Sequence, residues 1–207
     1  MLELFGHAAS INVRKVLWTL EEVGLACRHH EVGGRFASPD TPDFRALNPN
    51  ALVPVLRDGD FVLWESNTIC RYLAGRAQRA DLLPVEPRAR ASVEQWMDWQ
   101  ATELNSAWRY VFMARVRQSP AHADPQAIAA SEQAWNRSMQ ILDAQLARTG
   151  AHVAGEAFTV ADVVIGLSVQ RWLHTPMAHP ALPAVLAYRE RLRARPAFLR
   201  HGDNGLP

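Results

Sequence analysis

The apolar positions of this chain change texture near residue 77. Before it, short apolar runs of strand length alternate with stretches of helical spacing; after it, nearly all apolar positions recur at three or four residues. Leu2, Leu4 and Phe5 open a strand, Gly6-His7-Ala8-Ala9 turn the chain, and Ile11, Val13, Val16, Leu17, Leu20 and Val23 mark a helix that Gly24 stops. Cys27 to Val32 reads as a second strand, Gly33-Gly34 as a break, and Pro42 to Leu47 as a short helix ended by Asn48-Pro49-Asn50. Leu52 to Leu56 and Phe61 to Trp64 then pair as a hairpin across Asp58-Gly59-Asp60. Pro54 has no N–H to give to a ladder, so it belongs beside an edge or at a cis bond, not inside a regular central strand. Glu65-Ser66-Asn67 follows with Ser66 as the helix cap, and Ile69, Tyr72 and Leu73 continue at helical spacing to about Arg76.

Gln78 to Pro87 has two prolines and no period, and reads as a linker between residues 1–77 and an all-helical part, 88–207. There, Val93, Trp96, Met97, Leu104, Trp108, Val111 and Phe112 mark one long helix that ends before Ser119-Pro120. A second runs from Pro125 to Arg148. A third begins at Phe158-Thr159-Val160-Ala161-Asp162-Val163 with a full set of start signals: Thr159 as cap, Asp162 closing a capping box, and Phe158 set against Val163 as a hydrophobic staple. A last helix, Leu182 to Arg195, is stopped by Pro196.

Composition narrows the functional classes. With 48% hydrophobic residues, 207 residues bury a sizeable core, and 22 basic against 21 acidic residues leave no global charge for nucleic acid or an anionic membrane. No apolar run is long enough to span a bilayer and no basic leader precedes one, which suits a cytoplasmic protein. Cys27 and Cys70 lie too far apart for a C-x-x-C redox pair or a zinc cluster and read as buried structural thiols, and His29-His30 point to opposite faces of a strand, so no metal site is expected.

Three segments, in this order, resemble the cytosolic glutathione transferases: Asn48 to Leu56 with its Val53-Pro54 step, Leu63-Trp64-Glu65-Ser66-Asn67-Thr68-Ile69, and Phe158-Thr159-Val160-Ala161-Asp162. The resemblance implies an α/β thioredoxin-like N-terminal domain, a mixed four-stranded sheet in the order βαβαββα, joined to an all-α bundle. It also implies glutathione as co-substrate, no metal, and a homodimer. Gly6 to Asn12 is similar to the turn of serine-type members, especially the phi and theta classes and related bacterial forms, in which the serine at the position of Ser10 is catalytic.

The residues agree with what such a ligand needs. A cysteine thiol with a pKa near ~8.5 is mostly protonated at neutral pH. A hydroxyl at a helix N-terminus, where the dipole favours negative charge, lowers that value, which singles out Ser10. Asn12 competes for the same task through its amide. Ser66 offers a hydroxyl and free N–H groups to the γ-glutamyl carboxylate, and Glu65 offers a partner for the ammonium. By resemblance, Val53 brackets the cysteinyl unit with its backbone while Pro54 holds the bend. Leu52 stands where some serine-type members place a polar contact, and Arg35 is the candidate partner for the glycyl carboxylate. The family's pocket for an apolar electrophile lies between the domains, which points to Trp108 and Phe112, with Trp99 and Arg115 nearby. The implied reaction is addition of the thiolate to a hydrophobic electrophile; glutathione-dependent peroxidase or isomerase chemistry, and a non-catalytic binding protein of the same fold, stay open.

Overall fold

The computed structural model describes residues 1–207. Strands β1 (Leu2–Phe5), β2 (Cys27–His30), β3 (Val55–Asp58) and β4 (Phe61–Trp64) form one sheet in the order β2-β1-β3-β4, with β1 parallel to β2 and the other two pairings antiparallel. Helices α1 (Ile11–Val23), α2 (Pro42–Leu47) and α3 (Ser66–Arg76) complete the thioredoxin-like half. Leu2 and Leu4 alternate with half-buried Glu3 and Phe5 along β1, so one face of the sheet is apolar, and it packs with Leu56 against Val13, Val16 and Leu20 of α1 and Ile69 and Leu73 of α3.

The remainder is helical: α4 (Pro87–Trp99), α5 (Asn105–Arg115), α6 (Pro125–Thr149), α7 (Val160–His174), α8 (Pro183–Arg193) and α9 (Pro196–His201). Its core surrounds α7 and extends across the junction, because Ile11 and Trp18 of α1 and Cys70 and Ala74 of α3 belong to it. Trp18 is fully buried there, and Gly166 of α7 makes room: a Cβ on Gly166 would lie 2.6 Å from Leu192 and 3.2 Å from the indole. The start of α7 is fixed by the fully buried Asp162, whose carboxylate accepts from Thr159 N (2.8 Å), Thr159 Oγ1 (3.1 Å), Val153 N (2.9 Å) and Tyr188 Oη (3.0 Å).

Several boundaries differ from the sequence reading, each for a local reason. β2 ends at His30, not Val32, because its partner β1 stops at Phe5 and leaves Glu31 and Val32 nothing to pair with. β3 begins at Val55, not Leu52: Pro54, after a cis Val53–Pro54 bond, cannot join the ladder, and the strand instead runs on to Asp58 opposite Leu2. Ser66 is the first residue of α3, while Glu65 takes the cap position without a side-chain cap bond. The single long helix is α4 and α5 joined by a π turn, Gln100–Leu104. Beyond α8, Pro196 opens α9 as its first residue instead of closing the structure. Residues 77–86 carry no helix or strand, yet Leu82 and Leu83 are buried and the Leu82 carbonyl accepts from Val160 N at 3.0 Å.

Candidate functional site

The turn from β1 into α1 is tight. At Gly6 (φ +152°) a Cβ would lie 2.5 Å from Val13 and 3.2 Å from Cβ of Val53, so only glycine brings the strand end, the helix and the Val53–Pro54 step together here. Ser10 follows at the cap position, its N–H donating to the His7 carbonyl (3.0 Å) and its own carbonyl accepting from Arg14 N (2.9 Å). Thr41, Glu86 and Asp124 use their side chains to cap helices; Ser10 does not. Its hydroxyl is uncommitted at the N-terminus of a helix, where unpaired N–H groups favour an anion.

Ser10 lines a cleft of about 530 Å³ between the two halves of the molecule. His7, Ile11, Asn12, Leu52 and Val53 form one wall; Asn105, Trp108, Phe112 and Met113, with Arg109, Arg117 and Arg171, form the other. The N–H and C=O of Val53 find no partner within the chain, so both are free to pair with an extended ligand. Burial lowers the pKa of His7, with Glu31 opposing and Arg117 reinforcing the shift, so its ring is neutral at pH 7.

A second cavity of about 200 Å³ adjoins the first through Asn12 and Asn105 and contains Glu65, Ser66, Asn67, Gln100 and Lys15. Glu65 has φ +71° and ψ 108°, a conformation that costs a non-glycine residue on the order of 1–3 kcal/mol and is kept where a site requires it. Lys15 is buried, and its ammonium donates to Asn67 Oδ1 (3.0 Å) and Gln100 Oε1 (2.9 Å) and lies 3.5 Å from Ser66 Oγ. Asn67 in turn donates to the Met97 carbonyl at 2.7 Å. The π turn brings Gln100 into this group. No carboxylate pairs with Lys15, and burial pushes its pKa down to about 8, against the opposing influence of Cys70 and Glu65. Its partners are all neutral, so it puts an uncompensated positive charge beside the first turn of α3.

Of the residues singled out in the sequence, Ser10, Asn12, Val53, Trp108 and Phe112 meet in the larger cleft, and Asn12, Glu65 and Ser66 in the smaller. Pro54 is buried at the base. Arg35 lines a third cavity of about 530 Å³ that adjoins the Ser10 cleft, with His7 and Arg117 lining both. Trp99 and Arg115 lie outside: Trp99 packs edge-on against Trp96 (5.2 Å between centroids), and Arg115 is ion-paired with Glu132 (2.9 Å). Cys70 is buried as expected but Cys27 is only half-buried; burial pushes both thiols up to about 11, so neither is a thiolate at neutral pH. The sequence reading missed Lys15 and Arg171, each a buried cation on a helix, with Arg14 and Thr19 also buried on α1 and Asp162, Ser168 and Gln170 on α7.

The family model for the glutathione S-transferase N-terminal domain matches residues 9–76. Among curated proteins, glutathione S-transferase GstB of Escherichia coli K12 is 38% identical over 199 residues, 95% of either chain, and glutathione S-transferase 3 of Zea mays is 33% identical over 95% of this chain and 91% of its own. A crystal structure of the theta class glutathione S-transferase from Xanthomonas axonopodis pv. citri with glutathione bound superimposes with a TM-score of 0.92 at 40% identity, covering 100% of this chain and 99% of that one. The chain belongs to the glutathione S-transferase family.

Proposed function

We propose that this glutathione transferase holds the glutathione sulfur as a thiolate beside Ser10 and delivers it to an electrophile lying against Trp108 and Phe112. The observation that carries this reading is the uncommitted Ser10 hydroxyl at the N-terminus of α1, inside the cleft and next to the free backbone groups of Val53. The Val53 N–H and C=O bracket the cysteinyl unit as an added strand, with Pro54 holding that segment in place. Glu65 pairs with the γ-glutamyl ammonium, and the first N–H groups of α3, the Ser66 hydroxyl and Lys15 receive the γ-glutamyl carboxylate. Arg35 is assigned to the glycyl carboxylate, in the cavity that adjoins the cleft at His7 and Arg117. Asn12, at the junction of the two cavities, is placed to add a second donor to the sulfur.

Ser10 donates to the sulfur, which favours the thiolate over the thiol, and the thiol proton passes to solvent. The sulfur attacks the electrophilic carbon; a C–S bond forms, and either a leaving group departs with its bonding pair or the adjacent carbon takes up a proton. A hydrogen bond to a charged group contributes about 1.5–3 kcal/mol, so Ser10→Ala is expected to lower kcat/KM by roughly 10- to 150-fold and to raise the pKa of bound glutathione. The ultraviolet absorbance of the bound thiolate, followed against pH, checks this; an unshifted titration in wild type, or full activity in Ser10→Ala, removes the role. Residues 1–77 and 88–207 are proposed as the two domains of a cytoplasmic homodimer, as the family relation supports. No helix is long and apolar enough to cross a membrane. Sedimentation at micromolar concentration tests the dimer.

A further inference from the structure

We propose that the cleft selects electrophiles bearing a carboxylate, and that Arg171 is the residue that receives it. This rests on the reading of the cleft as the electrophile site. Arg171 is only 4% exposed, in the last turn of α7, and lines the cleft. Its guanidinium donates no hydrogen bond and pairs with no carboxylate, and its Nε is buried without a partner. The charge lies over an edge-on pair of rings on α5, with Cζ 4.5 Å from the Trp108 centroid and 4.2 Å from that of Phe112, an arrangement that steadies a cation but uses none of its donors.

The contrast with Arg14, the other buried arginine, is informative. Its Nε is likewise buried without a partner, but its terminal nitrogens donate to Asn204 Oδ1 (3.2 Å) and to the carbonyls of Leu206 (3.1 Å) and Pro207 (2.7 Å), whereas those of Arg171 donate to nothing in the chain. Burying a charged fork without acceptors is costly, and such a group is sustained where a ligand supplies them. Arg109 and Arg117 line the same cleft, also without ion pairs, and no Asp or Glu lines it; Glu31 lies in the adjoining cavity, with His7 and Arg117 shared between the two. The aromatic wall accepts the apolar body of the substrate, and the planar fork of Arg171 matches a carboxylate at its end. Burial lowers the pKa of Arg171 to about 9, with Arg14 and Arg117 contributing, so it is still a cation at neutral pH.

A matched pair of aryl chlorides tests the assignment: 4-chloro-3-nitrobenzoate and its neutral analogue 4-chloro-3-nitrobenzamide. In both, the glutathione sulfur attacks the ring carbon bearing chlorine, a C–S bond forms, chloride leaves with the C–Cl pair, and the thiol proton goes to solvent. With each kcat/KM divided by the uncatalysed rate constant, wild type should favour the acid by at least about tenfold, as a charge-assisted hydrogen bond provides. In Arg171→Met that preference should fall to near unity, and Arg171→Lys should restore part of it. Arg171→Gln reads the same ratio if the methionine variant does not fold. The assignment is overturned if wild type treats the two alike, if the preference survives removal of Arg171, or if Arg171→Met weakens glutathione binding as much as it weakens the acid. Quenching of tryptophan fluorescence by unreactive 3-nitrobenzoate gives a turnover-free reading, with its Kd expected to rise about tenfold or more in Arg171→Met. That binding needs no thiolate, so a failure at Ser10 and a failure at Arg171 are separately visible.

Discussion

The two ends of the cleft are built on different principles. The glutathione end is made where strands meet helices: Ser10 at the start of α1, Val53 before β3, Glu65 and Ser66 at the start of α3. Its recognition groups join the backbone of Val53 and of the first turn of α3 to side chains such as Ser10, Glu65 and Ser66, set by local geometry. The electrophile end is made of side chains from α5 and α7, separated by the whole of α6, and it carries cations without counterions. A site made at element junctions is held by the fold itself, whereas a site made of side chains on distant helices depends on how those helices pack.

Breaking the packing under the electrophile end should have the largest effect. Asp162→Ala leaves Val153 N, Thr159 N and the Thr159 hydroxyl without their acceptor in a buried setting, while the Tyr188 hydroxyl keeps only the main-chain carbonyl of residue 162; at about 1–3 kcal/mol per orphaned group, a loss of about 3 kcal/mol or more is expected in urea unfolding. Next comes the glutathione end. Lys15→Met removes the buried ammonium and should weaken glutathione binding about 10- to 150-fold by calorimetry, the range a charge-assisted hydrogen bond spans. If Lys15→Met weakened 3-nitrobenzoate as much as glutathione, the two ends would not be separate sites.

This division also explains what was legible in the sequence. The Val53-Pro54 step, the Glu65-Ser66 pair and the capping box at Thr159 and Asp162 are local patterns, so their residue types and spacing suffice to locate them. Trp108 and Phe112 could be placed on a helix, but that α7 would set Arg171 over their rings depends on the packing of three helices, which no spacing encodes. Lys15 was missed for a related reason: the π turn that brings Gln100 opposite it shifts the helical register by one residue, and the apolar period runs through that turn without a visible break. The same blindness placed Trp99 and Arg115 near the pocket, whereas one packs on Trp96 and the other pairs with Glu132.

Gly166 tests the joint between the two ends. Alanine there would press on Leu192 and Trp18, which ties α1 to α7, and overpacking of this kind costs about 1–3 kcal/mol. The expected result in Gly166→Ala is a lower urea midpoint, with glutathione affinity and 3-nitrobenzoate affinity falling together, because the contact sits between α1, which carries Ser10, and α7, which carries Arg171.

The smallest effect is a pH dependence confined to the glutathione end. Burial holds Lys15 at about 8, below the ordinary lysine value, so in the free enzyme it loses its proton as pH rises through 8. A carboxylate beside it favours the charged form, which raises its pKa in the complex, so binding between pH 8 and 9 must take up a proton and must weaken as pH rises. S-methylglutathione, whose sulfur does not titrate, isolates this step. Its Kd should rise less than about tenfold between pH 7 and 9, the span over which one site gives up one proton. Calorimetry in buffers of different ionisation enthalpy should detect the uptake. The ligand's own ammonium, held by Glu65, also takes up protons on binding, so the diagnostic quantity is the difference between wild type and Lys15→Met. If both bind with the same proton uptake at pH 8.5, Lys15 is not a partner of the γ-glutamyl carboxylate.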